Sequence, residues 1–144
     1  MIVLSYNKVL TPEDAYTHIK LPFKVKGTFG SLIINFAYEP KTLADEQKAI
    51  SLIEEGLAKC GESIDCAREY LPVNNLITIS LDSPQGYIGA AHRHINKQTH
   101  RISNEFADFG FIKTDILTGD WSITISTHYI ASSRIAVSLE VVCE

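Results

Sequence analysis

His92 and His94 flank Arg93 in the run Gly86-Tyr87-Ile88-Gly89-Ala90-Ala91-His92-Arg93-His94. Residues two apart on a strand point the same way, so two imidazoles at this spacing could share one metal ion. A third ligand would have to come from His100, His128, Asp82 or Asp108. With His128, the candidate metal set is His92, His94 and His128. No local spacing marks the third ligand, and two histidines alone also suit a solvated strand edge. No cofactor is therefore expected, and a divalent metal at these histidines stands as the alternative.

Other chemistry-bearing patterns are weaker. No G-x-S-x-G elbow is present, and serines and histidines are frequent enough for some pair to meet by chance. Cys60 and Cys66 are too far apart for a zinc knuckle, and Cys143 stands alone, so ordinary thiols are expected. Of the paired carboxylates, Glu54-Glu55 reads as the solvated face of a helix, and Glu13-Asp14 falls in a turn. Gly86-x-x-Gly89 leads from a turn into a strand, not into the helix a phosphate loop requires. Phe106 to Phe111 contains D-F-G, but the other kinase loops are missing, and Asp108 and Gly110 suit a loop. Tyr38 and Trp121 fall on apolar strand faces and are expected in the core.

The elements that must position these residues follow from periodicity. Ile2 to Leu10 is a first strand, closed by a turn at Thr11-Pro12-Glu13-Asp14. Thr17 to Val25 is a second, with Pro22 marking an edge or bulge. In Ser31 to Tyr38 the large residues Leu32, Ile34, Phe36 and Tyr38 share one face. From Thr42 to Lys59 the period changes. Ala49, Ile50, Ile53 and Leu57 form the stripe of one amphipathic helix around 43–59, with Thr42 as its N-cap and Gly61 as its stop. Cys60 to Val73 reads as a loop with a helical turn. Beyond it, Ile77, Ile79 and Leu81 share a face, Asp82 to Gly86 turns, and Gly86 to Arg93 is a short strand of small residues. Arg101 to Ser103 is a further short piece. Trp121 to Thr127 and Ile135 to Val141 alternate strictly, and Tyr129 to Ser133 is expected to be the hairpin joining them. The fold class is thus mainly β: an antiparallel sandwich of seven or eight strands, jelly-roll or immunoglobulin-like, forming a single domain over 1–144.

Composition bounds the partners. Apolar residues at 45% and charged residues at 21% suit a globular chain with a real core. A net charge of −4 argues against broad binding to nucleic acid or an anionic membrane. No apolar run is long enough for a membrane helix, and the first residues carry no basic and apolar leader. The expected compartment is the cytoplasm.

Several short motifs resemble the β-sandwich domain that precedes the catalytic domain in some metal-dependent phosphoesterases of the polymerase-and-histidinol-phosphatase (PHP) superfamily. They are Ile19-Lys20-Leu21-Pro22-Phe23-Lys24-Val25, the strand Leu32 to Tyr38, the turn Leu81-Asp82-Ser83-Pro84-Gln85-Gly86, Gly119-Asp120-Trp121, and Val137 to Val141. In that family a catalytic barrel with its own His-x-His motif follows the sandwich. His92-Arg93-His94 lies inside the sandwich region and is not equivalent to it. The resemblance implies an accessory module and carries over no phosphoesterase activity.

The functional expectation is a non-catalytic binding module for a partner protein or small ligand, with a phosphoesterase-like hydrolase as the implied associate. Its candidate ligand-binding residues are Tyr87, His92, Arg93, His94 and His100. The alternatives are a metal-dependent hydrolase built on His92 and His94, and a carbohydrate-binding module using exposed aromatic rings.

Overall fold

Eight strands build two facing sheets in a computed structural model that describes residues 1–144. The strands are β1 (Ile2–Leu10), β2 (Thr17–Val25), β3 (Ser31–Glu39), β4 (Leu76–Ser83), β5 (Gly86–Ala91), β6 (Lys97–Ser103), β7 (Gly119–Tyr129) and β8 (Ile135–Cys143). The first sheet has the order β1-β8-β3-β6 and the second β2-β7-β4-β5, with every pairing antiparallel. This is the double Greek key of a jelly roll, not the four-on-three arrangement of an immunoglobulin domain. Only β4 and β5 are joined within a sheet. Every other connection crosses from one sheet to the other.

Alternation drives this architecture. Leu32, Ile34, Phe36 and Tyr38 of β3 are all buried, facing Ile77, Ile79 and Leu81 of β4 and Trp121, Ile123 and Ile125 of β7 in one continuous core. Each such aliphatic side chain stabilises the fold by about 1.5–3 kcal/mol relative to exposure. Trp121 stacks on Phe23 at 6.3 Å, and its indole N–H donates to Leu117 O at 2.8 Å. Pro22 sits in β2, which pairs only with β7 and is an edge strand, where a missing N–H costs nothing.

The crossing from β3 to β4 carries the helix α1 (Glu46–Lys59). Its N-cap is Asp45, whose carboxylate accepts from Lys48 N–H at 3.1 Å. Thr42, expected in that role, instead bonds Asn74 Oδ1 at 2.7 Å in an isolated bridge. A cap must lie within one turn of the orphan N–H groups, and Thr42 falls short of it. At the other end Gly61 has φ 72°, and the bonds Gly61 N–H to Ala58 O and Glu62 N–H to Leu57 O complete a Schellman motif. A 3-10 turn at Ala67–Tyr70 follows, as the sequence indicates. No helix is long and apolar enough to cross a membrane.

The segment Tyr129 to Ser133 is not a hairpin. β7 belongs to the second sheet and β8 to the first, so these residues carry the chain across the end of the sandwich. Buried Asn75 holds them there. Its carbonyl accepts from Ala131 and Ser132 N–H at 2.7 and 3.2 Å, and its amide donates to Ser132 Oγ and Pro40 O at 2.8 and 3.0 Å. All its hydrogen-bonding capacity is used. At the opposite end, Met1 O accepts from Cys143 N–H, and the N-terminal ammonium donates to Cys143 O.

The crossing from β6 to β7 closes one long side of the sandwich. Residues 106–112 form a strap between the edge strands of the two sheets. On β6, Ala107 bridges Ile102, and Ser103 N–H donates to Phe106 O at 2.7 Å. On β5, Phe111 bridges Gly89, Ala90 N–H donates to Gly110 O and Ile112 N–H to Ile88 O. A Cβ on Gly89 would overlap Gly110 O, and one on Gly110 would overlap Ala90 O. Two glycines at φ 146° and 99° therefore let the strap seat. The β5 and β6 edges are thereby covered, which guards them against pairing with other chains, while β1 and β2 remain the edges on the opposite side.

Candidate functional site

The strap, the end of β5 and β6 collect most of the residues that the sequence singles out. β5 stops at Ala91, so His92, Arg93 and His94 lie in a loop and not on a strand. Their side chains diverge. His92 lies beside His128, the ring centroids 5.6 Å apart and tilted by 49°. Arg93 turns toward the strap and donates a long bond from Nη2 to Phe109 O at 3.5 Å. His94 is exposed. Tyr87 is 61% exposed and paired across the sheet with Asp82.

His128 belongs to a group on the outer face of the second sheet. Its Nε2 lies 2.7 Å from Thr78 Oγ1. On the neighbouring strand His18 Nδ1 lies 2.8 Å from Ser126 Oγ. Partial burial lowers the pKa of His128 below the usual imidazole value, and the nearby His92 and His18 lower it further. Two hydroxyl–imidazole pairs thus exist, the chance meetings that the composition foretells. Neither ring has a carboxylate behind it, since the single histidine–carboxylate approach in the molecule is at His100. A triad-like charge system is therefore missing at both. Nowhere do three or more His, Cys, Asp or Glu side chains come together in a way that could hold a metal. The three cysteines are free thiols, and burial raises the pKa of Cys143.

His100 is the buried counterpart, its side chain 4% exposed. β6 runs Lys97-Gln98-Thr99-His100-Arg101-Ile102-Ser103, with Gln98, His100 and Ile102 turned inward and Lys97, Thr99 and Arg101 outward. Gln98 Nε2 donates to Ile95 O at 2.7 Å, which points its carbonyl at His100. His100 Nε2–H then donates to Gln98 Oε1 at 2.8 Å. In this tautomer Nδ1 holds a lone pair, is buried, and has no hydrogen-bond partner. Its nearest polar neighbour is Asp108 Oδ2 at 3.6 Å. Burial is the main cause that lowers the pKa of His100; Arg93 adds to it, while the nearby Asp108 carboxylate opposes it.

Asp108 also clamps the strap. Its Oδ2 accepts from Arg101 N–H at 2.9 Å, and its own N–H donates to Arg101 O at 3.1 Å. The ring of Phe111 packs 5.2 Å from that of His100. Sequence reasoning named His100, His128 and Asp108 singly but missed three things: the strap, the His18–Ser126 pair and the Asp108–Arg101 clamp. The outward alternation of His18, Ser126 and His128 was a usable signal for the second. For the others only the tertiary pairing brings the partners together.

Above this buried group the strap presents Phe109, 90% exposed, with Phe106 and Ile112 also exposed. Ile95 and Tyr87 extend the exposed apolar residues onto the loop after β5 and onto β5 itself. No family model and no curated protein matches this chain.

Proposed function

We propose that the chain is a non-catalytic binding module that docks a partner protein on its strap side, through Phe109 with Tyr87 and Ile112. The observation that carries this reading is Phe109. A large apolar side chain stands almost fully in solvent, yet its backbone neighbours are fastened to both sheets. An aromatic anchor held in place before binding loses little conformational entropy when it is covered, which favours its use at an interface. Arg93, donating to the carbonyl of Phe109, adds a residue type enriched at such anchors. The motif resemblance points to a phosphoesterase-like hydrolase as the partner.

The test is binding of the purified chain to a co-expressed phosphoesterase-like hydrolase, measured for wild type and for Phe109→Ser. The reading predicts a complex that the substitution weakens by at least about tenfold, the loss typical of an anchor residue. Equal binding by both forms, or hydrolase turnover by the isolated chain, would overturn it.

A further inference from the structure

Beside His100, β6 and the strap leave an open cleft of about 290 Å³, lined by Arg93, Lys97, Gln98, Thr99, His100 and Asp108. Its charge is unbalanced. Arg93 and Lys97 are both cationic and neither makes a salt bridge, while Asp108 is the sole carboxylate. The guanidinium of Arg93 makes only its long bond to Phe109 O, so most of its donors are free. Both ends of the Gln98 amide are already engaged.

The floor of the cleft holds a second irregularity. The lone pair on His100 Nδ1 and the carboxylate oxygen of Asp108 face each other across 3.6 Å, two acceptors with no hydrogen between them. An unmatched buried acceptor is costly, and one proton at Nδ1 would relieve it by donating toward Asp108 Oδ2, which already accepts from Arg101 N–H.

We propose that this cleft binds a small oxyanion through Arg93 and Lys97 and takes up a proton at His100 as it does so. With His100 neutral, the carboxylate of Asp108 repels an anion seated on the two cations. A proton on Nδ1 turns Asp108 into one half of an ion pair, and the cleft gains a full positive charge. The charged groups acting on His100 are Asp108 from the strap and Arg93 from the loop after β5; Gln98 and the Phe111 ring are neutral. Burial and Arg93 keep His100 unprotonated in the empty cleft near neutral pH, so the proton arrives with the ligand. Linkage then requires binding to tighten as pH falls. This site shares Arg93 with the partner surface proposed above but uses neither Phe109's side chain nor Tyr87's, so the Phe109→Ser variant, which leaves Arg93 in place, separates the two proposals.

Sulfate is the probe, because its charge stays constant across the working range and any pH effect belongs to the protein. Its affinity for the full chain would be measured by calorimetry or amide chemical shifts at pH 5.5 and 7.5. The expected result is saturable binding, about tenfold tighter at the lower pH. Asp108→Asn keeps an acceptor for Arg101 N–H but removes the charge, so it should bind more tightly at pH 7.5 and lose the pH dependence. His100→Gln should also lose the pH dependence but stay at the weak level. Arg93→Ala combined with Lys97→Ala should abolish binding without moving the thermal midpoint. Glycerol phosphate competing better than sulfate would mark the natural group as a monoester, and equal competition a free anion; both orders support the site. No saturable binding by wild type or Asp108→Asn, pH-independent wild-type binding, or binding retained in the double variant would overturn it.

Discussion

The molecule holds two histidine environments that differ in what lies behind each ring. On the outer face of the second sheet, His18 and His128 are each held by a single hydroxyl, with His92 alongside. Under the strap, His100 is closed in by Gln98, Asp108 and Phe111. In the first group His18 and His128 are placed by strand register and one hydroxyl each, His92 by the loop after β5, so each ring can be lost at small cost. In the second the ring is part of how two sheet edges are joined. His92 and Arg93, neighbours in sequence, are divided between the two environments, which shows how little a two-residue spacing says once the strand has ended.

The largest expected effect attacks the strap's seating. Gly89→Ala should destabilise the fold by about 3 kcal/mol or more, because its Cβ meets backbone that cannot move aside and its φ is unfavourable for alanine. Urea unfolding would measure it, and a near-neutral result would show that the strap is not firmly seated. His100→Ala comes next, at about 2 kcal/mol, since it leaves a void and strands Gln98 Oε1. His128→Ala should cost about 1 kcal/mol or less, and an equal cost at the two histidines would erase the distinction between their environments.

Acidification probes both groups together. The pKa values of His100 and His128 are lowered from the ordinary 6.5, so the unfolded chain binds more protons than the folded one as pH falls below that value. The stability they contribute is full above 6.5 and is lost as pH falls through their folded-state values. The thermal midpoint should therefore drop between pH 7.5 and 5, and His128→Asn should reduce the drop only in part, leaving the share of His100. The smallest effect belongs to Phe109→Ser, which should stay within about 0.5 kcal/mol of wild type because the ring covers nothing within the chain.

What could be read beforehand follows the same division. β3, β4, β7 and β8 were legible because a buried face of Leu, Ile, Val and aromatic residues alternates against polar positions. The inner positions of β6 are Gln98, His100 and Ile102, so the alternation is present but two inward residues are polar, and only Arg101 to Ser103 stood out. Tyr129 to Ser133 resembled a hairpin because turn residues separate two strong strands. Strand partners, however, are chosen by packing far along the chain, and β7 pairs with β2 and β4. Asp108 and Gly110 were legible as loop formers, and Asp108 O does accept from Phe111 N–H at 3.0 Å. That this loop would join two sheets could not be seen, because its contacts at Gly89 and Arg101 are set by tertiary register.

The bonds between Met1 and Cys143 have a mechanical consequence. β1 and β8 are antiparallel, and residues 1 and 144 emerge side by side from the same end of the pair. A force pulling these two residues apart runs along the hydrogen bonds between the strands, perpendicular to the strands themselves. The rungs then break one after another, Ile2 from Val142 first and Leu10 from Ile135 last, instead of sharing the load. Along this axis the sandwich opens like a zipper and yields at low force, although its core is otherwise well packed. A tether attached in the Ser83–Gly86 turn and at Glu144 would load other strand pairs, and a single-molecule comparison of the two pulling directions would reveal the anisotropy.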